Sequence, residues 1–335
     1  MLTLGIETSC DDTAVAVLED DARIRANIIS NQDMIHARFG GIVPELASRR
    51  HMESITVVTN EALAQAEVSL RDIDLIAVTQ GPGLIGSLLV GFSYAKALSY
   101  TLNKPFVGVD HMSGHLLSAF LEKDKPSFPY VALIVSGGTT ALYYAKSYHE
   151  FSLLGRTRDD AAGEAFDKVA RLLSLGYPGG PVVSERATKG SSSRLSLPRA
   201  WLDEHSLDFS FSGLKTAVLN YCNNCKSLQR DIQVEDLCAA FEQAVIEVLV
   251  EKTILATHAT KAENVVIGGG VSANRRLRYH LGQRCIEEGK KLYVPALTHC
   301  TDNAAMIAFA GFKQFERGLQ GSVNEDVFSR SSLGL

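Results

Sequence analysis

Long apolar runs are missing from this 335-residue chain. No stretch approaches the ~20 residues that a membrane-spanning helix needs. The opening residues, MLTLGIETSC, hold no basic leader, and Glu7 stands where a signal peptide would be apolar. A soluble, cytoplasmic protein is therefore expected. Cysteine is sparse: Cys10, Cys222, Cys225, Cys238, Cys285 and Cys300 are scattered and read as reduced thiols rather than as a disulfide framework. Cys222 and Cys225 form a lone C-x-x-C with no second pair at matching spacing, which argues against a zinc knuckle. Positive charge is not in excess either, with 33 Lys and Arg against 38 Asp and Glu. A nucleic-acid partner would have to be met by a local basic face. Arg49, Arg50, Lys215, Arg275, Arg276 and Arg278 are the candidates, although most read individually as solvated surface charge. Three signatures are also absent: G-x-x-x-x-G-K-[ST], G-x-G-x-x-G with its acidic partner, and H-E-x-x-H. Their absence argues against a P-loop, a Rossmann site and a zinc protease with its glutamate base on the same turn.

What is present is ordinary globular composition, 46% hydrophobic and 21% charged, in a chain long enough for two domains. LTLGIET and TAVAVLED read as two strands around the polar turn SCDD. Residues 44–68 have a helical apolar face of Leu46, Ile55, Val58 and Leu63, with Pro44 in the first turn. DIDLIAVTQ (72–80) is a buried strand leading through GPGLIGS into a helix over 84–102, and FVGVD (106–110) is a further strand. The pattern then restarts. YVALIVSGG (130–138) and TTALYYA (139–145) form a second strand pair, ENVVIGGGVSANRRLR (263–278) is strand, loop and helix start, and a last helix runs from near Asp302 to about Arg317. Residues 189–200 read as a loop. Two hairpins, each followed by strand and helix alternation, predict two related α/β lobes.

Four glycine-rich turns stand out: GPGLIG (81–86), VSGGT (135–139), YPGGP (177–181) and GGGVSAN (268–274). Backbone N–H groups in such turns can cradle phosphate, and glycine can equally serve tight packing alone. HMSGH (111–115) places two histidines four apart, on one helical face. Two imidazoles are an incomplete metal site, and a carboxylate would turn them into a two-histidine, one-carboxylate set suited to Fe(II) or Zn(II). Asp302 in THCTDNAAMIAFA is a candidate, and an N-cap role for it is the commoner alternative.

GIETSCDDTAVAV, GGIVPELASRRH, GPGLIGSLLVG, HMSGH, VSGG, DDAAGEAFDKVARLL, YPGGP, DFSFSGLKTAV, GGGVSANRRLR and CTDNAAMIA occur in order over nearly the whole chain. Together they resemble the universal family of tRNA threonylcarbamoyladenosine transferases, once called O-sialoglycoprotein endopeptidases, in its bacterial form. The resemblance implies an α/β fold with two actin-like, sugar-kinase and Hsp70-like lobes of the duplicated RNase H type and an interlobe cleft. Lobes over 1–110 plus 303–335 and over 111–302 are expected. It implies transfer of threonylcarbamoyl from threonylcarbamoyl-AMP to the exocyclic amine of the adenosine 3′ of the anticodon, in tRNAs reading codons that begin with A. It also implies one metal, iron(II) ahead of zinc(II), on His111, His115 and Asp302, which should then converge within a few ångströms. Donor or ATP/ADP contacts map to Ser9, Val135, Ser136, Gly137, Gly138, Thr139, Asp167, Gly180, Ser184 and Asn274. Asp11 and Asp12 map to the phosphate-facing loop and are candidate bases or orienters.

Implied partners are tRNA, a paralogous non-catalytic subunit forming a heterodimer and a small P-loop ATPase, or alternatively a second copy in a homodimer, with no membrane. Three positions depart from the family pattern: Asp12 replaces a glutamate, Thr139 a histidine, and Ser184 an aspartate. Competing readings are a non-catalytic scaffold paralogue, the old metalloprotease assignment, and a small-molecule kinase of the same superfamily. The scaffold reading is disfavoured by the intact histidine pair and CTDN.

Overall fold

The computed structural model describes residues 1–21, 23–203 and 206–334. The chain folds as two compact units. The first gathers Met1–Pro126, Lys146–Phe151 and the segment from Pro295 onward; the second gathers Ser127–Ala145 and Ser152–Val294. Helix His111–Leu117 and Asp302 therefore both belong to the first unit, whereas the sequence places residues 111–302 in a second lobe. The physical reason is packing: Gly114 of that helix lies against Ile307 and Met306 of helix Ala304–Glu316, and a Cβ there would meet them at 3.0–3.1 Å.

The first unit is built on five strands: β1 (Leu2–Glu7), β2 (Thr13–Glu19), β3 (Arg23–Ser30), β4 (Leu75–Gly81) and β5 (Phe106–Asp110), in the order β3-β2-β1-β4-β5. β1–β2 and β2–β3 are antiparallel, and β1–β4 and β4–β5 are parallel. The second unit repeats that order with β6 (Tyr130–Val135), β7 (Thr140–Ala145), β8 (Phe151–Arg156), β9 (Asn264–Gly268) and β10 (Lys291–Tyr293), arranged β10-β9-β6-β7-β8. Counted from its own first strand, each sheet reads 3-2-1-4-5. The duplication expected from two weak hairpins is thus complete at the level of topology. The edge strands β3, β8 and the three-residue β10 are not singled out by the sequence. In β3 only Ala26 is fully buried, so no clean alternation marks it. The 27-residue helix Val234–Thr260, the spine of the second unit's core, was also not singled out, because 18 of its residues are buried and no polar face sets a period.

Strand alternation decides what reaches the site. In β1, Leu4 and Ile6 join Val15, Val17, Ile76 and Val78 in a core against helices Pro44–Ala66 and Ile85–Leu102. Successive side chains point to opposite faces. Thr3, Gly5 and Glu7 consequently face the other way, as do Ala77 and Thr79 of β4, and that face receives helix Ala304–Glu316. The helix sits so close at Gly5 that an added Cβ would lie 2.2 Å from the Ala304 carbonyl oxygen and 2.9 Å from the Ala308 Cβ.

Candidate metal centre

His111 opens a seven-residue helix that starts where β5 ends, with Asp110 as N-cap accepting the Met112 N–H at 2.8 Å. All seven residues are buried. The four-residue spacing brings the two rings edge to face, 4.7 Å between centroids. Asp302 arrives from the loop before helix Ala304–Glu316. The cap of that helix is Asn303, whose Oδ1 accepts the Met306 N–H at 3.0 Å. The N-cap alternative for Asp302 is thereby excluded, and its carboxylate is left to the histidines. Glu122, which follows the short 3-10 turn after the His111 helix, secures the same loop. It accepts from Ala296 N and pairs with His299 Nδ1, each at 2.8 Å.

Three atoms converge. His115 Nε2 lies 3.1 Å from His111 Nε2 and 3.1 Å from Asp302 Oδ1, and His111 Nε2 is 3.4 Å from that oxygen. Ligands about 2.1 Å from one metal ion are separated by roughly 3.0 Å at octahedral and 3.4 Å at tetrahedral angles. The triangle fits one ion of that size, and two histidines with one carboxylate are the donor set of Fe(II) or Zn(II) centres with open positions. Among the described residues this is the group of histidine, cysteine and acidic side chains gathered closely enough to hold a metal; Cys222 and Cys225 sit buried in helix Ser212–Ser227 and join no such group. His115 Nδ1 is buried and, among the described residues, has no hydrogen-bond partner, whereas His111 Nδ1 meets Glu7 Oε2 at 2.8 Å.

The electrostatics of the group are those of a cation shared between carboxylates. Burial alone would hold His111 neutral, but Glu7 and Asp302 on either side override it and raise its pKa well above the ordinary imidazole range. Burial likewise opposes the charge on Asp302, and the two histidines more than offset it, holding the carboxyl well below its usual range. His115 is lowered, first by burial and also by its charged neighbour His111.

Ser9, Asp11 and Asp12 form the turn between β1 and β2 in the same unit. Ser9 N donates to Glu7 Oε1 at 2.5 Å, and its hydroxyl lies 3.4 Å from His111 Nδ1. His51 holds the turn from helix Pro44–Ala66, with Nε2 2.9 Å from the Cys10 carbonyl and Nδ1 2.7 Å from the Thr13 hydroxyl. Asp11 is raised by burial. Asp12 is pushed up to about 8, first by burial and then by Asp302, Asp11, Asp33 and Glu7. A carboxyl that ionises near 4 in the unfolded chain and near 8 in the folded one binds its proton more tightly when folded. Its contribution to stability is present below pH ~4 and lost as pH rises toward 8. In chelator-treated protein, Asp12→Asn should melt with the parent at pH 4 and above it at pH 8. A melting difference that does not widen over that interval would refute the assignment.

The remaining candidates lie in the second unit. Residues 136–139 turn between β6 and β7, with Ser136 N donating to Thr139 O at 2.7 Å. The turn's own carbonyls take up the start of helix Ala162–Leu172, since Gly163 N donates to Ser136 O and Glu164 N to Gly137 O. A Cβ added at Gly137, Gly138 or Gly180 would meet nothing within 4 Å, so these positions face open space. Val135 is a core residue and can offer only backbone. Asp167 Oδ1 accepts the Gly179 N–H at 2.7 Å. Asn274 caps helix Arg275–Glu287 through Oδ1 and donates from Nδ2 to Ser184 Oγ at 3.0 Å and Glu242 Oε1 at 2.7 Å. Ser184 is therefore a partner of Asn274. Glu242 was not found from sequence, where a glutamate inside a long apolar helix carries no positional signal. Of the basic candidates, Arg49 pairs with Glu45, Arg50 with Glu53, and Arg276 with Glu242, while Arg278 donates to the Ser272 carbonyl.

The family model described as "TsaD: tRNA N6-adenosine threonylcarbamoyltransferase" matches residues 23–309. The tRNA N6-adenosine threonylcarbamoyltransferase of Desulfotalea psychrophila is 56% identical over 337 residues, covering 100% of this chain and 98% of that protein. The protein of that name from Bacillus subtilis is 50% identical, covering 96% and 93%. Among solved structures, component A of the Acidaminococcus fermentans (R)-2-hydroxyglutaryl-CoA dehydratase aligns with TM-score 0.54 at 16% identity, covering 94% of this chain and 98% of that one. Full-length HypF in its phosphate- and nucleotide-bound form aligns with TM-score 0.61 at 15% identity, covering 94% and 55%. At these identities the two structures establish the fold alone, the actin-like two-unit α/β architecture.

Proposed function

The chain belongs to the tRNA N6-adenosine threonylcarbamoyltransferase family, and from this we infer that it transfers a threonylcarbamoyl group to the N6 amine of a tRNA adenosine. The donor is threonylcarbamoyl-AMP, and the acceptor is the adenosine 3′ of the anticodon in tRNAs reading codons that begin with A. The amine nitrogen attacks the carbamoyl carbon, the new C–N bond replaces the bond to the phosphate oxygen, AMP leaves, and the amine gives up a proton. The observation that carries the catalytic reading is the intact, convergent His111–His115–Asp302 group in a chain whose relatives match it end to end. A non-catalytic scaffold would have no use for three buried or half-buried ligands so arranged.

His111, His115 and Asp302 would hold the metal, iron(II) ahead of zinc(II), and the ion would supply Lewis acidity toward a donor oxygen. The residues of the chain do the rest. The open edges of Gly137, Gly138 and Gly180 leave backbone available to the adenylate, supported by Ser136, Thr139, Asp167, Ser184 and Asn274. Asp12, whose proton affinity is raised by burial and by the carboxylates around it, is the candidate to orient the amine or accept its proton, with Ser9 and Asp11 in the same turn. The old peptidase reading lacks its base: the helix carries Ser113 and Gly114 between its histidines, and Glu7 is committed to three donors. No helix of the described residues is long and apolar enough to cross a membrane, and we place the protein in the cytoplasm with its tRNA. For a partner subunit, the paralogue of the same system, the exposed Met52 and Val57 on helix Pro44–Ala66 are the candidate face.

The test is reconstitution with metal, threonylcarbamoyl-AMP, the partner proteins and an unmodified tRNA, followed by nucleoside analysis of the digested product. N6-threonylcarbamoyladenosine is expected, and its absence from a metal-loaded, fully assembled reaction would overturn the reading. Gly138→Ala should fold as the parent does, because its Cβ points into open space, and should raise the KM for the donor about tenfold or more. An unaltered KM would remove this turn from the donor site.

A further inference from the structure

Glu7 is a fully buried carboxylate that no part of the reaction so far uses. Both its oxygens are occupied. Oε1 accepts from Ser9 N at 2.5 Å, and Oε2 accepts from the Thr79 hydroxyl at 2.6 Å and from His111 Nδ1 at 2.8 Å. Its place follows from strand alternation: Glu7 ends β1 on the face shared with Gly5, and Thr79 reaches it from the same face of the neighbouring β4. A buried carboxylate is costly unless its hydrogen bonds are satisfied. Here two donors, one from the turn after β1 and one from β4, fix its position independently of the histidine.

We propose that Glu7 is the positioning residue that fixes the His111 imidazole for metal binding, by holding the proton on Nδ1 and so presenting a bare Nε2 to the ion. The proposal rests on the metal reading of His111, His115 and Asp302. An imidazole can carry its single proton on either nitrogen, and only the Nδ1–H form leaves Nε2 free to ligate. Nε2 is the atom that points at His115 and Asp302, 3.1 Å and 3.4 Å away. Outer carboxylates of this kind orient metal-bound histidines, and their loss costs about 10- to 100-fold in metal affinity. The site is asymmetric in this respect, because among the described residues His115 Nδ1 has no such partner. Glu7 therefore orients His111, the ring it holds from behind.

The experiment measures cobalt(II) and zinc(II) affinity of the full chain by competition with a chelating indicator, together with the visible spectrum of the cobalt form and the melting temperature of the metal-free form. Glu7→Gln keeps the shape but presents an amide to His111 Nδ1. It should weaken metal binding about 10- to 100-fold and alter the cobalt spectrum. Glu7→Asp, which retains the carboxylate on a shorter arm, should recover part of the affinity. Thr79→Val, which removes one support of Glu7 without touching the histidine, should lose several-fold. A folded Glu7→Gln protein with the parent's affinity and spectrum would overturn the proposal; if Glu7→Gln does not fold, parental affinity in Thr79→Val does so instead. Should the parent itself bind neither ion, the metal reading fails and the role of Glu7 fails with it. A parent that binds while Glu7→Gln binds equally well leaves the metal reading standing and removes only Glu7.

Discussion

Asp302→Ala is expected to leave a folded protein that has lost its stoichiometric metal and transfers at least about a thousandfold more slowly. The fold should survive because Asp302 holds no cap. Asn303 performs that task, and the Asp302 side chain is about a quarter exposed at 24%. The site should not survive, because the carboxylate is the only oxygen in the convergent triangle and the anion facing both imidazoles. A metal acting on a carbonyl contributes several kcal/mol to a transition state, and ~4 kcal/mol corresponds to about a thousandfold. His115→Ala should match this loss. Metal analysis of purified protein beside a single-turnover transfer assay measures both effects. Parental metal content and rate in both variants would remove the metal from the mechanism. A secondary consequence follows from the same geometry: without the Asp302 charge, the Asp12 carboxyl should ionise at lower pH, because that charge is among the causes that raise it.

The second large effect is expected at a residue that offers no metal-binding atom. Gly5→Ala adds one methyl group, and that methyl would lie 2.2 Å from the Ala304 carbonyl oxygen and 2.9–3.0 Å from Ala308. These are backbone and near-backbone atoms of helix Ala304–Glu316, so no side chain can swing aside. The helix must move off the sheet, and overpacking of this kind costs about 3 kcal/mol at the upper end of its usual range. For a unit of this size the melting temperature should fall by roughly 6–12 °C. Because Asp302 enters two residues before the helix, metal affinity should fall with it, even though Gly5 touches no ligand. Gly138→Ala is the control, since its added methyl meets nothing and its melting temperature should equal the parent's. A Gly5→Ala protein with parental melting and parental metal affinity would show that the helix has room the structure denies it.

The two predictions separate what is local from what is not. Most of the strands and the glycine turns of both units were legible because hydrophobic alternation and glycine after a strand are properties of adjacent residues. The His111–His115 pair was legible for the same reason, four residues being one helical turn. Strands β3 and β8 were missed because edge strands bury too little to alternate cleanly, β10 because three residues are too few to show a period, and helix Val234–Thr260 because a helix buried on most of its surface has no polar side to reveal its period.

Which carboxylate joins the two histidines was not local information. Asp302 and Asn303 are adjacent polar residues before the same helix, and either could have capped it. Only the structure assigns Asn303 to the cap and turns Asp302 toward His115, 187 residues away in sequence, and toward His111 beside it. Glu7 shows the same limit. Alternation along β1 determined that Glu7 shares a face with Gly5, but not that β4 would bring Thr79 beside it, nor that helix Ala304–Glu316 would close over that face. By itself, the sequence determined the elements, the order of the motifs and the chemical types available. The tertiary structure decided which of those groups meet, because meeting depends on strand order and helix packing, and these are set by burial summed over the whole unit rather than by any spacing along the chain.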